Sequence, residues 1–180
     1  MSQYQRADQA ATTILIRQVS PLLLRFFSSQ FGSRPDAEDL VQDTWLQIHR
    51  ARHTYRPGEP VLPWIYAIAR HVRVDGYRRT QRIRSREQLM SPLPEPPVPA
   101  QPGPTNAPDF DTLIAVLPPS QREVLSMLKV SGMSLEEVAR ATASSVGSVK
   151  LKAHRAYEKL RGVLSPEGSG SPLRSGDDVV

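Results

Sequence analysis

The chain has 180 residues, with 23 Lys plus Arg against 18 Asp plus Glu and a formal net charge of +5. It holds no Cys, which excludes disulfide frameworks, thiol nucleophiles and cysteine-ligated metals. No apolar run approaches the ~18–20 residues that span a bilayer, and the first residues lack an uninterrupted apolar stretch, so the sequence predicts a cytoplasmic protein without a signal peptide.

Apolar residues recur at helical spacing, while strict alternation persists nowhere, which predicts an all-α fold. Ser20-Pro21 ahead of Leu22-Leu-Leu24 reads as an N-cap followed by Pro at the first helical position. Over residues 36–50 the apolar set is Ala37, Leu40, Val41, Trp45 and Ile48. Over 64–80 it is Ile65, Ile68, Ala69 and Val72, with Pro63 suited to the first turn. Residues 91–108 contain eight Pro, which fix φ and remove backbone donors. Such a segment is a semi-rigid spacer of ~3.1 Å per residue, reaching about 55 Å. Phe110, Leu113, Ile114 and Leu117 then form an i, i+3, i+4, i+7 set. Ser134 and Glu137 have the spacing of a capping box, which opens a short helix with Leu135, Val138 and Ala139 inward. Ser145 caps a last helix from Val146, whose inner face is Val149, Ala153, Ala156 and Leu160. From Ser165 the chain is rich in Gly, Ser and Pro, a composition that predicts disorder. The expected organisation is a helical domain over 1–90, a Pro-rich linker over 91–108, a helix-turn-helix domain over 109–163 and a tail over 164–180.

Charge is strongly segregated. Residues 36–43 hold four acids and no base, whereas 70–86 hold seven Arg and one Asp. A basic cluster of that density meets a polyanion, nucleic acid or a membrane surface. The membrane alternative is weak, because the opposing face lacks a continuous bulky apolar band. On a helical wheel Tyr66, Arg70, Arg73 and Tyr77 share one flank, which suits stacking on unpaired bases with guanidinium groups on phosphates. Trp64 follows the loop 55–60 and serves either as a pocket wall or as plain core. On the last helix Ser148, Lys152, Arg155 and Lys159 form one polar stripe, and Lys150, His154 and Arg161 another. A cationic helix presented by a short preceding helix enters a major groove; a solvated Lys/Arg face is the alternative. Opposite the apolar face of 36–50 lie Asp39, Gln42, Asp43 and Leu46, and an apolar residue within an acidic stripe suits a protein partner.

Catalytic chemistry finds no support. His49 and His53 are spaced like half a zinc site without a third ligand nearby, so no metal or cofactor is expected. No phosphate-cradling glycine motif is present, and nothing places the acids of 36–43 in a dry pocket. The sequence predicts no enzyme.

Five segments in register resemble a known family. Asp36-Ala-Glu-Asp-Leu-Val-Gln-Asp-Thr-Trp45 resembles the polymerase-binding helix of bacterial sigma factors, and Trp64 through Arg79 resembles their −10 recognition segment. Leu117–Val124, Gly132–Ala139 and Val146–Ala156 resemble their C-terminal −35-binding domain, and the layout is similar to that of the extracytoplasmic-function (ECF) subfamily. The resemblance implies a factor that binds core RNA polymerase, through the β′ and β subunits, and directs transcription initiation at promoter DNA. Asp39, Gln42, Asp43 and Leu46 would then face the β′ coiled coil. Trp64, Tyr66, Arg70, His71, Arg73, Tyr77, Arg78 and Arg79 would engage the −10 element and an extruded base. Ser145, Ser148, Lys150, Lys152, His154, Arg155 and Lys159 would read the −35 element. An anti-sigma protein, soluble or membrane-anchored, is the implied regulator. Three positions depart from the family: His71 stands where Asn is frequent, Ala143 where Gly is usual in the turn, and Lys152 where Arg is frequent. A positive φ at Ala143 would cost roughly 1 kcal/mol or more. The alternative reading is a free-standing helix-turn-helix regulator, which has no need of the acidic stripe with Leu46.

Overall fold

The computed structural model describes residues 1–31, 34–90 and 110–164; among these, the side chains of residues 31, 34–36, 79–90 and 111 are not described. The expected linker, 91–108, and the expected tail from residue 165 therefore lie outside the described residues, while Leu164, placed in the tail from sequence, ends the last helix. Every regular element among the described residues is helical.

Three long helices form the N-terminal part. Helix α1 (Ser2–Gln5) is a single turn, followed by α2 (Gln9–Phe31), α3 (Arg34–Ala51) and α4 (Val61–Met90). Asp8 begins α2: its carboxylate accepts the N–H of Ala11 at 2.8 Å, satisfying one of the orphan donors of the first turn. Leu15, Val19, Leu23, Phe26 and Phe27 then face inward. From α3 come Ala37, Leu40, Thr44 and Ile48, and from α4 Ile65, Tyr66, Ala69 and Val72. Helix α4 lies close on α3 at Gly76, where an added Cβ would sit 2.7 Å from Leu40 Cδ2. Glycine is what lets the two helices approach there.

The Ser20-Pro21 expectation is corrected by this arrangement. Pro21 lies inside α2, not at the start of a helix. Interior Pro removes a helical hydrogen bond, at a cost of about 3 kcal/mol. The helix continues because Leu15 and Val19 before it, and Leu23, Phe26 and Phe27 after it, bury on one face. Ser20 does not cap; its hydroxyl accepts the Trp45 indole N–H at 2.9 Å, joining α2 to α3.

The first residues are also tied down. Tyr4 is buried with its ring edge-on to His49, and burial raises its phenol pKa against an opposing effect of Arg52. The Gln5 amide donates to the carbonyls of Arg52 and Tyr55, at 2.7 and 2.9 Å.

The C-terminal part is built from shorter pieces: α5 (Phe110–Ala115), α6 (Pro119–Leu125), a π-helical turn (Ser126–Val130), α7 (Leu135–Thr142) and α8 (Val146–Leu164). The capping box is present. Glu137 N–H donates to Ser134 Oγ at 3.1 Å, and Ser134 N–H donates to the Glu137 carboxylate at 2.8 Å. Helix α7 ends with Ala143 at φ 49° and ψ 44°. Ser144 N–H bonds the Ala139 carbonyl and Ala143 N–H bonds that of Arg140, the double pattern of a left-handed helix stop normally made by Gly. Ser145 caps α8, its hydroxyl accepting Ser148 N–H at 3.2 Å.

The two helical regions do not stand apart. Helix α7 lies along α4, while α5, α6 and the π turn lie against α2. Val124, Met127, Val138 and Ala141 join Leu23, Phe26, Phe27, Ile65 and Tyr66 in one continuous core. A smaller cluster of Ile114, Leu117, Leu125 and Ala156, with Phe110 and Leu160 against it, belongs to the C-terminal region alone. Each helix's amphipathic face is visible in sequence; which two faces meet is a tertiary fact.

Candidate nucleic-acid and partner interfaces

Three surfaces carry the residues singled out from sequence. On α3, Asp39 and Gln42 are exposed, Asp43 is half-buried, and Leu46 is 49% exposed. The spacing 39, 42, 43, 46 puts them on one helical face, turned away from Leu40 and Ile48 in the core. These side chains set an acidic rim around one exposed apolar side chain.

The second surface is the flank of α4. Trp64 is half-buried at its start: the indole N–H donates to Thr54 Oγ1 at 3.1 Å and the ring meets Tyr55 edge-on. The Tyr55 hydroxyl donates to the Glu59 carbonyl, closing the loop 55–60 on itself. His71 is exposed, with Nδ1 donating to the Ala67 carbonyl at 2.7 Å. Tyr77 is 56% exposed and Arg78 is exposed. The Arg79 side chain, like those of Arg82, Arg84 and Arg86, lies outside the described residues.

Tyr66 departs from the sequence expectation. It is fully buried, its ring at right angles to Phe26 and its hydroxyl hydrogen-bonded to Ser131 Oγ and the Leu22 carbonyl. Burial pushes its pKa up to about 12. In this arrangement Tyr66 offers no face to a base. The wheel places it correctly on the Arg70 flank, but that flank is covered by the C-terminal region.

The covering contact is polar as well as apolar. Arg70 Nε donates to Glu123 Oε1 at 2.8 Å, and Arg73 Nη2 lies 3.3 Å from the same oxygen. Arg70 Nη1 also donates to the Ala141 carbonyl at the end of α7, and Arg73 Nη1 to Gln30. Arg140 of α7 pairs with Glu59 of the loop at 2.9 Å. Arg122 donates to the carbonyls of Ile114, Ala115 and Leu117, and across to that of Ser29; burial lowers its pKa. Glu123, Arg122, Ser131 and Arg140 were not apparent as interface residues in the sequence, because their partners lie 53 to 93 positions away. The one local signal is an acid beside the apolar pair Val124-Leu125.

The third surface is α8. Ser145, Lys150, His154, Arg155 and Lys159 are exposed, and Ser148 and Lys152 are half-buried. The helix N-terminus is preceded by α7 through the three-residue turn Ala143-Ser144-Ser145, a helix-turn-helix arrangement. Among the described residues, no three His, Asp or Glu side chains lie close enough to hold a metal ion, and no helix is long and apolar enough to cross a membrane.

Comparison with known proteins gives these surfaces a family. The family model of sigma-70 region 2 matches residues 15–83 and that of sigma-70 region 4 matches residues 109–160. The chain is 32% identical over 167 residues to RNA polymerase sigma factor CarQ of Myxococcus xanthus, covering 91% of this chain and 95% of that protein. It is 34% identical over 142 residues to ECF RNA polymerase sigma factor SigF of Caulobacter vibrioides, covering 75% and 74%. Among solved structures it is similar to the sigma factor RpoE from Bartonella quintana, in complex with the anti-sigma factor NepR. The TM-score there is 0.70 at 25% identity, over 88% of this chain and 99% of that one. CnrH, solved with the cytosolic domain of CnrY, shares the fold with a TM-score of 0.68 at 23% identity, over 93% and 96%. Region 2 is carried by α2 to α4 and region 4 by α5 to α8. The chain belongs to the sigma-70 family as an ECF-type sigma factor, which binds core RNA polymerase and directs promoter recognition and transcription initiation.

Proposed function

We propose a division of labour among the three surfaces. The α3 face of Asp39, Gln42, Asp43 and Leu46 docks on core polymerase, on the β′ subunit, with β engaged elsewhere on the chain. The loop 55–60 and α4, through Trp64, Arg70, His71, Arg73, Tyr77, Arg78 and Arg79, take the −10 element. Ser145, Ser148, Lys150, Lys152, His154, Arg155 and Lys159 on and before α8 take the −35 element. Tyr66 acts at −10 only if region 4 leaves α4. The factor performs no chemistry of its own and works in the cytoplasm. Its domain limits are residues 1–90 and 109–163, joined by 91–108 and followed by the tail 164–180. The likeness to RpoE, solved with NepR, supports an anti-sigma protein as regulator, soluble or tethered at the inner membrane face.

The observation that carries the polymerase assignment is Leu46, 49% exposed within an acidic stripe. Large apolar side chains at the centre of a polar patch are what interface cores are made from. Asp39→Arg with Leu46→Glu is expected to abolish capture by immobilised core polymerase, with helicity by circular dichroism unchanged. Undiminished capture of the double variant contradicts the assignment.

A further inference from the structure

Glu123 is an unusual acid. It sits on α6 with 5% exposure, beside the buried Val124 and Leu125. A carboxylate lies that deep only when its charge is matched. The matching charges come from α4: Arg70 at 2.8 Å and Arg73 at 3.3 Å. Arg70 also reaches the Ala141 carbonyl, at the end of α7 where the helix dipole is negative. The opposite polarity is matched next to it by Arg140 on Glu59.

Guanidinium forks recognise carboxylates and phosphates by the same planar geometry. We propose that Glu123 is an intramolecular stand-in for a promoter phosphate, holding Arg70 and Arg73 so that the −10 flank stays occupied until region 4 leaves α4. This rests on the assignment of those two arginines to DNA. The closed contact carries its own opposition. Arg73 Nε, Gln121 Oε1 and Ser126 Oγ are buried without a hydrogen-bond partner, and such groups favour any state that hydrates them. Lys150, His154, Arg155 and Lys159 on α8 are exposed in this closed arrangement. The closed chain therefore presents α8 to duplex DNA while Arg70 and Arg73 are withheld from unpaired strand.

The absence of Cys makes two introduced thiols unique labelling sites. Gln47→Cys on α3 and Gly162→Cys on α8 are at exposed positions, and energy transfer between dyes there reports closure in the full chain. A labelled thymidine oligonucleotide of about 20 residues, longer than the site of one single-strand module, reports strand binding by anisotropy. Glu123→Gln is expected to lower transfer and to tighten oligonucleotide binding about tenfold, equivalent to about 1.4 kcal/mol. The tightening should vanish when Arg70 and Arg73 are both Ala. Arg70→Glu with Glu123→Arg should restore high transfer. If Glu123→Gln loses helicity, Arg70→Gln with Arg73→Gln opens the same contact from the α4 side and is read by the same dyes. High transfer retained by the helical variants overturns the latch. Low transfer with no gain in strand binding leaves closure dependent on Glu123 but removes Arg70 and Arg73 from DNA, which overturns the phosphate stand-in.

Discussion

The two basic helices of this sigma factor differ in availability, not in chemistry. On α8 Lys150, His154, Arg155 and Lys159 are exposed. On α4 Arg70 and Arg73 are paired with a buried carboxylate, and Tyr66, on the same flank, is fully enclosed in the core. The difference comes from what packs outside each helix. Helix α8 buries Val149, Ala153 and Ala156 within region 4 and leaves its outer side alone. Helix α4 is packed on both sides, by α3 of its own region and by α7 of the other. A cationic stripe is thus a statement about chemistry, and its accessibility is settled by the rest of the chain.

Arg122 is the side chain whose loss costs the closed arrangement most. Its guanidinium satisfies four carbonyls, two at the end of α5, that of Leu117 just beyond it, and one on α2. Charged hydrogen bonds contribute about 1.5–3 kcal/mol each, and orphaned buried carbonyls add a penalty. Arg122→Ala should lower stability by about 3 kcal/mol or more in urea unfolding followed by circular dichroism. A loss below about 1 kcal/mol would show that water replaces the side chain freely.

A milder break is Tyr66→Phe, which removes the hydrogen bonds to Ser131 and Leu22 while keeping the ring against Phe26. The expected cost at neutral pH is about 1–2 kcal/mol. The pH dependence has a definite sign. Burial raises the phenol from 10.0 to about 12, so folding favours the neutral form. The stability Tyr66 contributes is complete below pH 10 and is lost as pH rises from 10 towards 12. The Phe variant lacks that titration, so its deficit relative to the parent should shrink above pH 10. A constant deficit across this range contradicts the buried phenol.

The smallest change sharpens the exposed side. Ala143 holds a left-handed conformation at φ 49°, which costs an L-residue roughly 1–2 kcal/mol, partly offset by the chain entropy a Gly would lose. Ala143→Gly should stabilise the chain by about 0.5–1 kcal/mol and leave the closure of α7 on α4 unchanged. Destabilisation in urea unfolding would contradict the helix stop described here.

Local features were legible in the sequence because they depend on neighbours a few residues away. The capping box at Ser134 and Glu137 and the Ser145 cap follow from short-range chemistry, whereas the special position of Ala143 came only from the family resemblance, since Ala has no local preference for a left-handed turn. Pro63 falls in the first turn of α4. Ser20-Pro21 misled because the same pair that starts a helix also survives inside one when apolar residues on both sides are buried. Tyr66 lies on the flank that the helical wheel gives it; nothing local says that region 4 covers it. Glu123 was silent for the same reason, since an acid in a short helix reads as solvated until its distant arginines are found. The three-surface layout was readable from residue type and spacing, and the closure between regions was not.

One chain that joins polymerase to two promoter elements through separate surfaces should leave both elements in the promoters it selects. Transcription of fragmented genomic DNA of the source bacterium by purified core polymerase and the full chain, with sequencing of RNA 5′ ends, tests it directly. The expected starts depend on the chain and share two upstream elements at fixed spacing. The −10 pattern should be degraded by Arg73→Ala with Tyr77→Ala, and the −35 pattern by Lys150→Ala with Arg155→Ala. Starts that appear without the chain, or that share only an α8-dependent element, would contradict the account and make the protein a duplex-binding regulator.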